Sequence, residues 1–323
     1  MRKTLLLLAV SPMLYYSCKK EDTPQHSQGW QDNTVAGLEA YYTPYAPPKV
    51  TYSINAGMGG IITTSGGIQF TIDENSFTGQ DGKTVKTGHI FFTCQEHFTN
   101  CDLLRDNLST VSTKQTLLIT GGAFYVSVAG ENNATVRLVK PIKVSVPEHD
   151  GNFNTDFGVY EGLNSMGIAP NSIGNPNRIG WKETGINWSP GFMGSNRSYD
   201  FSIDRLFSWY GMKRTADKGN GETTINVKLP AGYGNVNTEI FVFVPDRGMI
   251  HLAGDASREL FTSKNYTVPR GTPLRIFPVS ATNDILTYNL FNVIVNSDAT
   301  LEVEKMTPVT KNRLIEIIEK DLR

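Results

Sequence analysis

Residues 59–72 read GGIITTSGGIQFTI, and their pattern sets the fold class of the first half of the chain. Gly66-Gly67 divides two runs of strand-forming residues, and glycine accepts the positive φ that a tight hairpin turn demands. On one side Ile61-Ile62-Thr63-Thr64 is a strand. On the other, Ile68, Phe70 and Ile72 alternate with Gln69, Thr71 and Asp73, giving one buried and one wet face. Upstream, residues 50–54 alternate in the same way before Gly57-Met58-Gly59-Gly60 breaks them. Downstream, strands are expected over residues 89–94, 116–119, 123–128, 135–139 and 142–146, with turns at Gly79-Gln80-Asp81-Gly82, Gly121-Gly122 and Gly130-Glu131-Asn132-Asn133. Short strands with frequent turn signals predict an antiparallel sandwich.

Residues 147–198 are rich in Gly, Asn and Pro and read as long loops holding short strands near Val159-Tyr160 and between Trp181 and Trp188. An aromatic strand over 199–210 closes the first unit, and the charged stretch 213–222 reads as a linker. Seven further strands are expected over 223–229, 239–245, 249–252, 266–268, 274–280, 285–295 and 299–303. Within the second of these, Ile240, Val242 and Val244 take one face and Phe241 and Phe243 the other, so this strand is expected to be central and covered on both sides. The tail, 307–323, predicts a helix capped by Thr307, with Pro308 in its first turn and Leu314, Ile317, Ile318 and Leu322 on its apolar face. The expectation is thus a mainly β protein. It has two antiparallel β-sandwich domains, residues 49–215 and an immunoglobulin-like 216–323, with a short C-terminal α-helix.

The first residues, MRKTLLLLAVSPMLYYSCKKED, address the chain rather than fold it. Arg2 and Lys3 precede a mainly apolar run of thirteen residues, 4–16, too short for the roughly 20 of a membrane-spanning helix and suited to a signal peptide over 1–17. Small Ser17 before Cys18 resembles a bacterial lipobox, with Leu14 one place early, and the Lys-Lys-Glu-Asp that follows resembles the start of a Bacteroidota surface lipoprotein. That resemblance implies a lipid on Cys18 and an outer-membrane location, on the cell surface or the periplasmic face. Residues 18–48 then read as a polar tether whose tyrosines pack on the adjacent domain.

A second resemblance lies in Gly59-Gly60-Ile61-Ile62, Gly67 to Ile72 and Asn75-Ser76-Phe77, with Gly121 to Val126 and Lys140 to Pro147 farther on. These are similar to the strands of the ZU-type β-sandwich of ankyrins and netrin receptors, although Asp73 and Asn75-Ser76 replace its proline and Gly-Ala. The resemblance covers about residues 50–215 and implies an interaction scaffold with no general enzymatic site.

Composition narrows the function. Hydrophobic residues make up 39% of the 323, enough for packed cores. Without Arg2 and Lys3 the chain holds 28 basic against 31 acidic residues, so nothing favours nucleic acid as a partner. Cys94 and Cys101, the two cysteines besides Cys18, are expected to form a disulfide in an exported protein. The histidines at 26, 89, 97, 149 and 251 lack metal-ligand spacing, and no nucleophile elbow, phosphate loop or HExxH occurs, so no catalytic residue, metal or cofactor is assigned.

Two site readings remain. Tyr160, Trp181 and Trp188, with Phe192 and nearby amides, form either a carbohydrate platform or aromatic pins that hold loops to the sandwich. His97-Phe98-Thr99 resembles the tripeptide at which some ZU-type and related sandwich domains cut their own backbone, with His as base and the hydroxyl as nucleophile. The functional expectation is a lipid-anchored, non-catalytic binding or scaffold module with a glycan or an envelope protein as partner. The alternatives are a glycan-binding part of a polysaccharide-uptake system and a hydrolase or self-cleaving protein.

Overall fold

A computed structural model describes residues 38, 41, 43–106, 108–149, 151, 153–163, 180–217, 221–244, 248–263, 268–282 and 284–322. The expected signal peptide, Cys18 and most of the expected tether lie outside the described residues. The protein is mostly antiparallel β with a short C-terminal helix.

Its four main sheets stack as layers with three apolar cores between them. The first layer runs, in spatial order, Ser189–Met193, Asn196–Ile203, Ile142–Pro147, Gln69–Ile72, Gly60–Thr63. The second runs Val50–Asn55, His89–His97, Leu118–Gly130, Ser208–Thr215, Gly158–Leu163, Gly180–Glu183. Between them Phe70, Phe92, Phe124 and Tyr210 pack with Ile142, Val144 and Val146. The hairpin at residues 60–72 forms as its alternation predicts, with Gly67 at φ +87 and Phe70 and Ile72 inward. The third layer is built on Thr238–Val244 and Pro273–Thr282, flanked by Gly248–His251, Ile285–Tyr288, Phe291–Ile294 and Thr307–Val309. The fourth carries Ala253–Asp255, Leu260–Thr262, Ile225–Lys228 and Ala299–Glu302, the last two paired in parallel.

Thr238–Val244 behaves as its two apolar faces require. All seven residues are buried. Ile240, Val242 and Val244 point to the fourth layer, while Phe241 and Phe243 join the middle core. That middle core unites the two halves. From the second layer come Tyr125, Tyr160, Trp181 and Trp209; from the third, Met249, Phe277 and Val279. Two helices close it: α1, Asn100–Arg105, and α2, Lys311–Asp321.

Several elements differ from expectation. Gly121-Gly122 is not a turn. It lies inside one thirteen-residue strand, Leu118–Gly130, opposite a register shift at Met212/Lys213. A Cβ on Gly122, at φ +140, would stand 2.8 Å from the Phe98 ring, so the pair makes a bulge against a close neighbour. Residues 199–210 split between Asn196–Ile203 and Ser208–Thr215, which belong to different layers. Residues 285–295 likewise make two strands. Lys213 belongs to a strand and is fully buried, so the charged stretch is not a linker at that end. Thr307–Val309 pairs with Ile285–Tyr288, and Thr310, not Thr307, caps α2 by accepting the Arg313 N–H at 3.3 Å. The expected apolar face, Leu314, Ile317, Ile318 and Leu322, is the one buried.

Candidate functional site

The expected disulfide is absent: Cys94 and Cys101 are free thiols in different cores. Alternation along His89–His97 turns Cys94 toward the first layer. Thr99 then starts α1 with a capping box, and the helix turns Cys101 toward α2, where its Sγ donates to the Ile318 carbonyl at 2.7 Å. Burial, with Glu96 nearby, pushes the Cys94 thiol well above its ordinary pKa.

The aromatic residues expected as a platform are not gathered on one surface. Trp181 is fully buried, its indole N–H donating to the Ser109 carbonyl at 2.8 Å, and Tyr160 shares the same middle core. Trp188 packs at the edge of the other core against Phe153 and Tyr199, its N–H on the Phe157 carbonyl at 2.6 Å. They pin loops. Phe192 alone of the set is strongly exposed, at 73%.

His97 and Thr99 are also engaged separately. The His97 ring is fully buried; its Nε2 pairs with an Asp106 carboxylate oxygen and the ring meets Trp209 edge-on at 4.8 Å. Thr99 Oγ1 accepts the Asp102 N–H at 3.2 Å. The base and the hydroxyl therefore serve Asp106 and the helix start, respectively. Gln95 donates to the same Asp106 oxygen at 2.6 Å and to the Pro47 carbonyl at 2.9 Å. Beyond it, Lys213 donates to Thr120 Oγ1 at 3.1 Å and lies 3.7 Å over the Trp181 ring. Burial holds its amine well below the usual lysine range. This polar seam lies between the halves, closed to solvent. It suits joining layers better than meeting a substrate.

An accessible concavity lies at the other end of the second layer. Two loops converge there because Phe77–Gly79 pairs with Val136–Leu138, bringing the segment after Gly79 opposite residues 130–136. The groove holds about 490 Å³, inside the roughly 300–1,000 Å³ of small-molecule clefts. Gln80, Thr87, His89, Glu131, Asn133 and Thr135 line it, over Val85 and Val136. Glu131 ties the two sides by accepting the His89 backbone N–H at 3.0 Å, and His89 Nδ1 meets Ser53 Oγ at 3.0 Å.

No protein-family model and no curated protein matches this chain.

The groove's chemistry must therefore be read from its own side chains. It offers amides, hydroxyls, one imidazole and one carboxylate, and its lining contains neither lysine nor arginine. Such groups donate and accept hydrogen bonds and orient a polar ligand. No cluster of metal-binding side chains occurs among the described residues. The groove is not legible in the sequence because its parts are turn residues and two three-residue strands. The signal was there only as two glycine-bounded turns, at 79–82 and 130–133, whose meeting depends on a pairing too short to read.

Proposed function

We propose that this chain is a lipid-anchored cell-envelope lipoprotein that works as a non-catalytic binding module, held at the outer membrane through Cys18. The signal-like residues 1–17, the cysteine and the Lys-Lys-Glu-Asp run support the anchor. The resemblance to ZU-type sandwiches supports an interaction role. The observation that carries the binding reading is the division of polar groups. His97, Asp106 and Lys213 are sealed in the joint, while the open groove presents mainly neutral hydrogen-bonding side chains. A ligand would meet groups that hold it and few that could move a proton for it.

The test is metabolic labelling with a clickable fatty acid in cells making the chain or its Cys18→Ser form. Label on the first and none on the second is expected; equal labelling would remove Cys18 as the anchor. Protease shaving of intact cells, read with an antibody to the C-terminal half, then assigns the face. Loss of signal beside an intact periplasmic control puts the protein on the surface, and protection until lysis puts it on the periplasmic side.

A further inference from the structure

We infer that the groove and the sheet face beside it form a binding site for a neutral glycan chain. This rests on the binding reading above and supplies its ligand class. The outer face of the second layer is covered by the middle core over only part of its area. Beyond that cover, Thr51, Ser53, His89 and Phe91 are exposed and Thr93 is half-exposed. These residues follow from strand alternation: 89, 91 and 93 share one side of His89–His97, while Ile90, Phe92 and Cys94 take the other.

Phe91 is what a packed sheet would normally hide. It is 37% exposed, and its cross-strand neighbours are Ser53 on one side and Ala129 on the other. Both are too small to cover a phenyl ring. The ring therefore offers apolar surface to solvent two residues from His89, at the groove's edge. From His89 to Thr93 the strand advances about 14 Å at roughly 3.4 Å per residue, so groove and face form one elongated path. Paired hydroxyls continue it, Thr51 to Thr93 at 2.9 Å.

That combination matches a sugar chain. A pyranose has an apolar face of C–H groups and a rim of hydroxyls; an aromatic ring takes the first, and side-chain amides, hydroxyls and a carboxylate take the second. Charge narrows the class. Glu131 is the one carboxylate lining the groove, with no lysine or arginine to offset it. A phosphorylated, sulfated or uronate-rich chain would meet Glu131 inside the groove, while the nearest exposed cations, Lys83, Lys86 and Arg137, stand outside the lining.

The test is retention of the purified full chain, in its native and Cys18→Ser forms, on an array of neutral and anionic polysaccharides. Two variants report on the site. Phe91→Ala removes the ring. Asn133→Gly removes an amide while keeping the left-handed backbone, φ +59, that glycine adopts freely. Retention of one or more neutral glycans is expected, about tenfold weaker in each variant. Phe192→Ala, an exposed aromatic on a different layer, should bind like the parent. Thermal melts accompany each variant to show that it is folded. No retention of any neutral glycan by the folded chain would overturn the inference. Retention of anionic chains only, or retention indifferent to both groove variants, would do the same. Because the Cys18→Ser form is tested alongside, loss of the anchor and loss of the ligand read separately.

Discussion

At the scale of single residues, Lys213 is an exacting position, a lysine with no exposed surface. Its amine is buried among Trp181, Thr120 and the second-layer backbone, and desolvation holds it well below the usual lysine range. The unfolded chain keeps this amine protonated up to about pH 10.4. Between the depressed native value and that pH, unfolding takes up a proton, so native stability rises with pH across the window. Lys213→Met removes the effect at similar volume. It is expected to melt above the parent at pH 7, with the gap closing as pH approaches 10. A variant that melts lower by a constant amount would show that the bond to Thr120 and the indole contact dominate. His251, whose ring stacks on Phe241 at 4.9 Å, adds the same sign at lower pH. Burial takes its pKa to about 4, so its contribution grows between about pH 4 and 6.5. Residue identity alone did not disclose these roles. Trp181 and Lys213 look like surface chemistry in sequence, because nothing local says that a second sheet will cover them.

Secondary-structure elements were legible where their faces differ in a simple way and illegible where tertiary neighbours decide. The hairpin at 60–72 and the two-faced strand Thr238–Val244 follow from alternation alone. Gly121-Gly122 reads the same whether it turns the chain or bulges a strand; only Phe98 and the shifted partner strand distinguish the two. α1 has six residues, too few for periodicity, and its signal was the Thr99-x-x-Asp102 capping box. The groove is illegible for a related reason, since its walls are joined by a three-residue pairing. For α2 the apolar face was clear, and the start slipped by a few residues because two threonines, 307 and 310, could each cap it. The observed cap gives a test. Thr310→Ala should cost about 1 kcal/mol, or about 1–2 °C in melting temperature for a chain of this size. Thr307→Ala, at an exposed strand position, should cost less than half as much by the same measurement.

For the whole molecule, the middle core decides how the halves behave together. It takes large side chains from the second and third layers and seals them with α2, while Arg105 meets Glu319 at 2.6 Å and Arg275 holds the Asp321 carbonyl. Unfolding either half would expose the apolar surface of the other, so calorimetry should show one cooperative transition. Ile318→Ala, at a fully buried position, should lower that transition without splitting it, at a cost of about 2–5 kcal/mol. Two separate heat-absorption peaks in the parent would mean that each sandwich stands alone.

The position of α2 also bears on how the protein is made. A ribosome delivers residues 311–321 after every strand of all four sheets. Until then Trp209, Phe241 and Phe277 lack part of the lid that covers them. A chain that emerges N-terminus first, from a ribosome or an export channel, therefore leaves this interior only part-covered until residues 311–321 arrive.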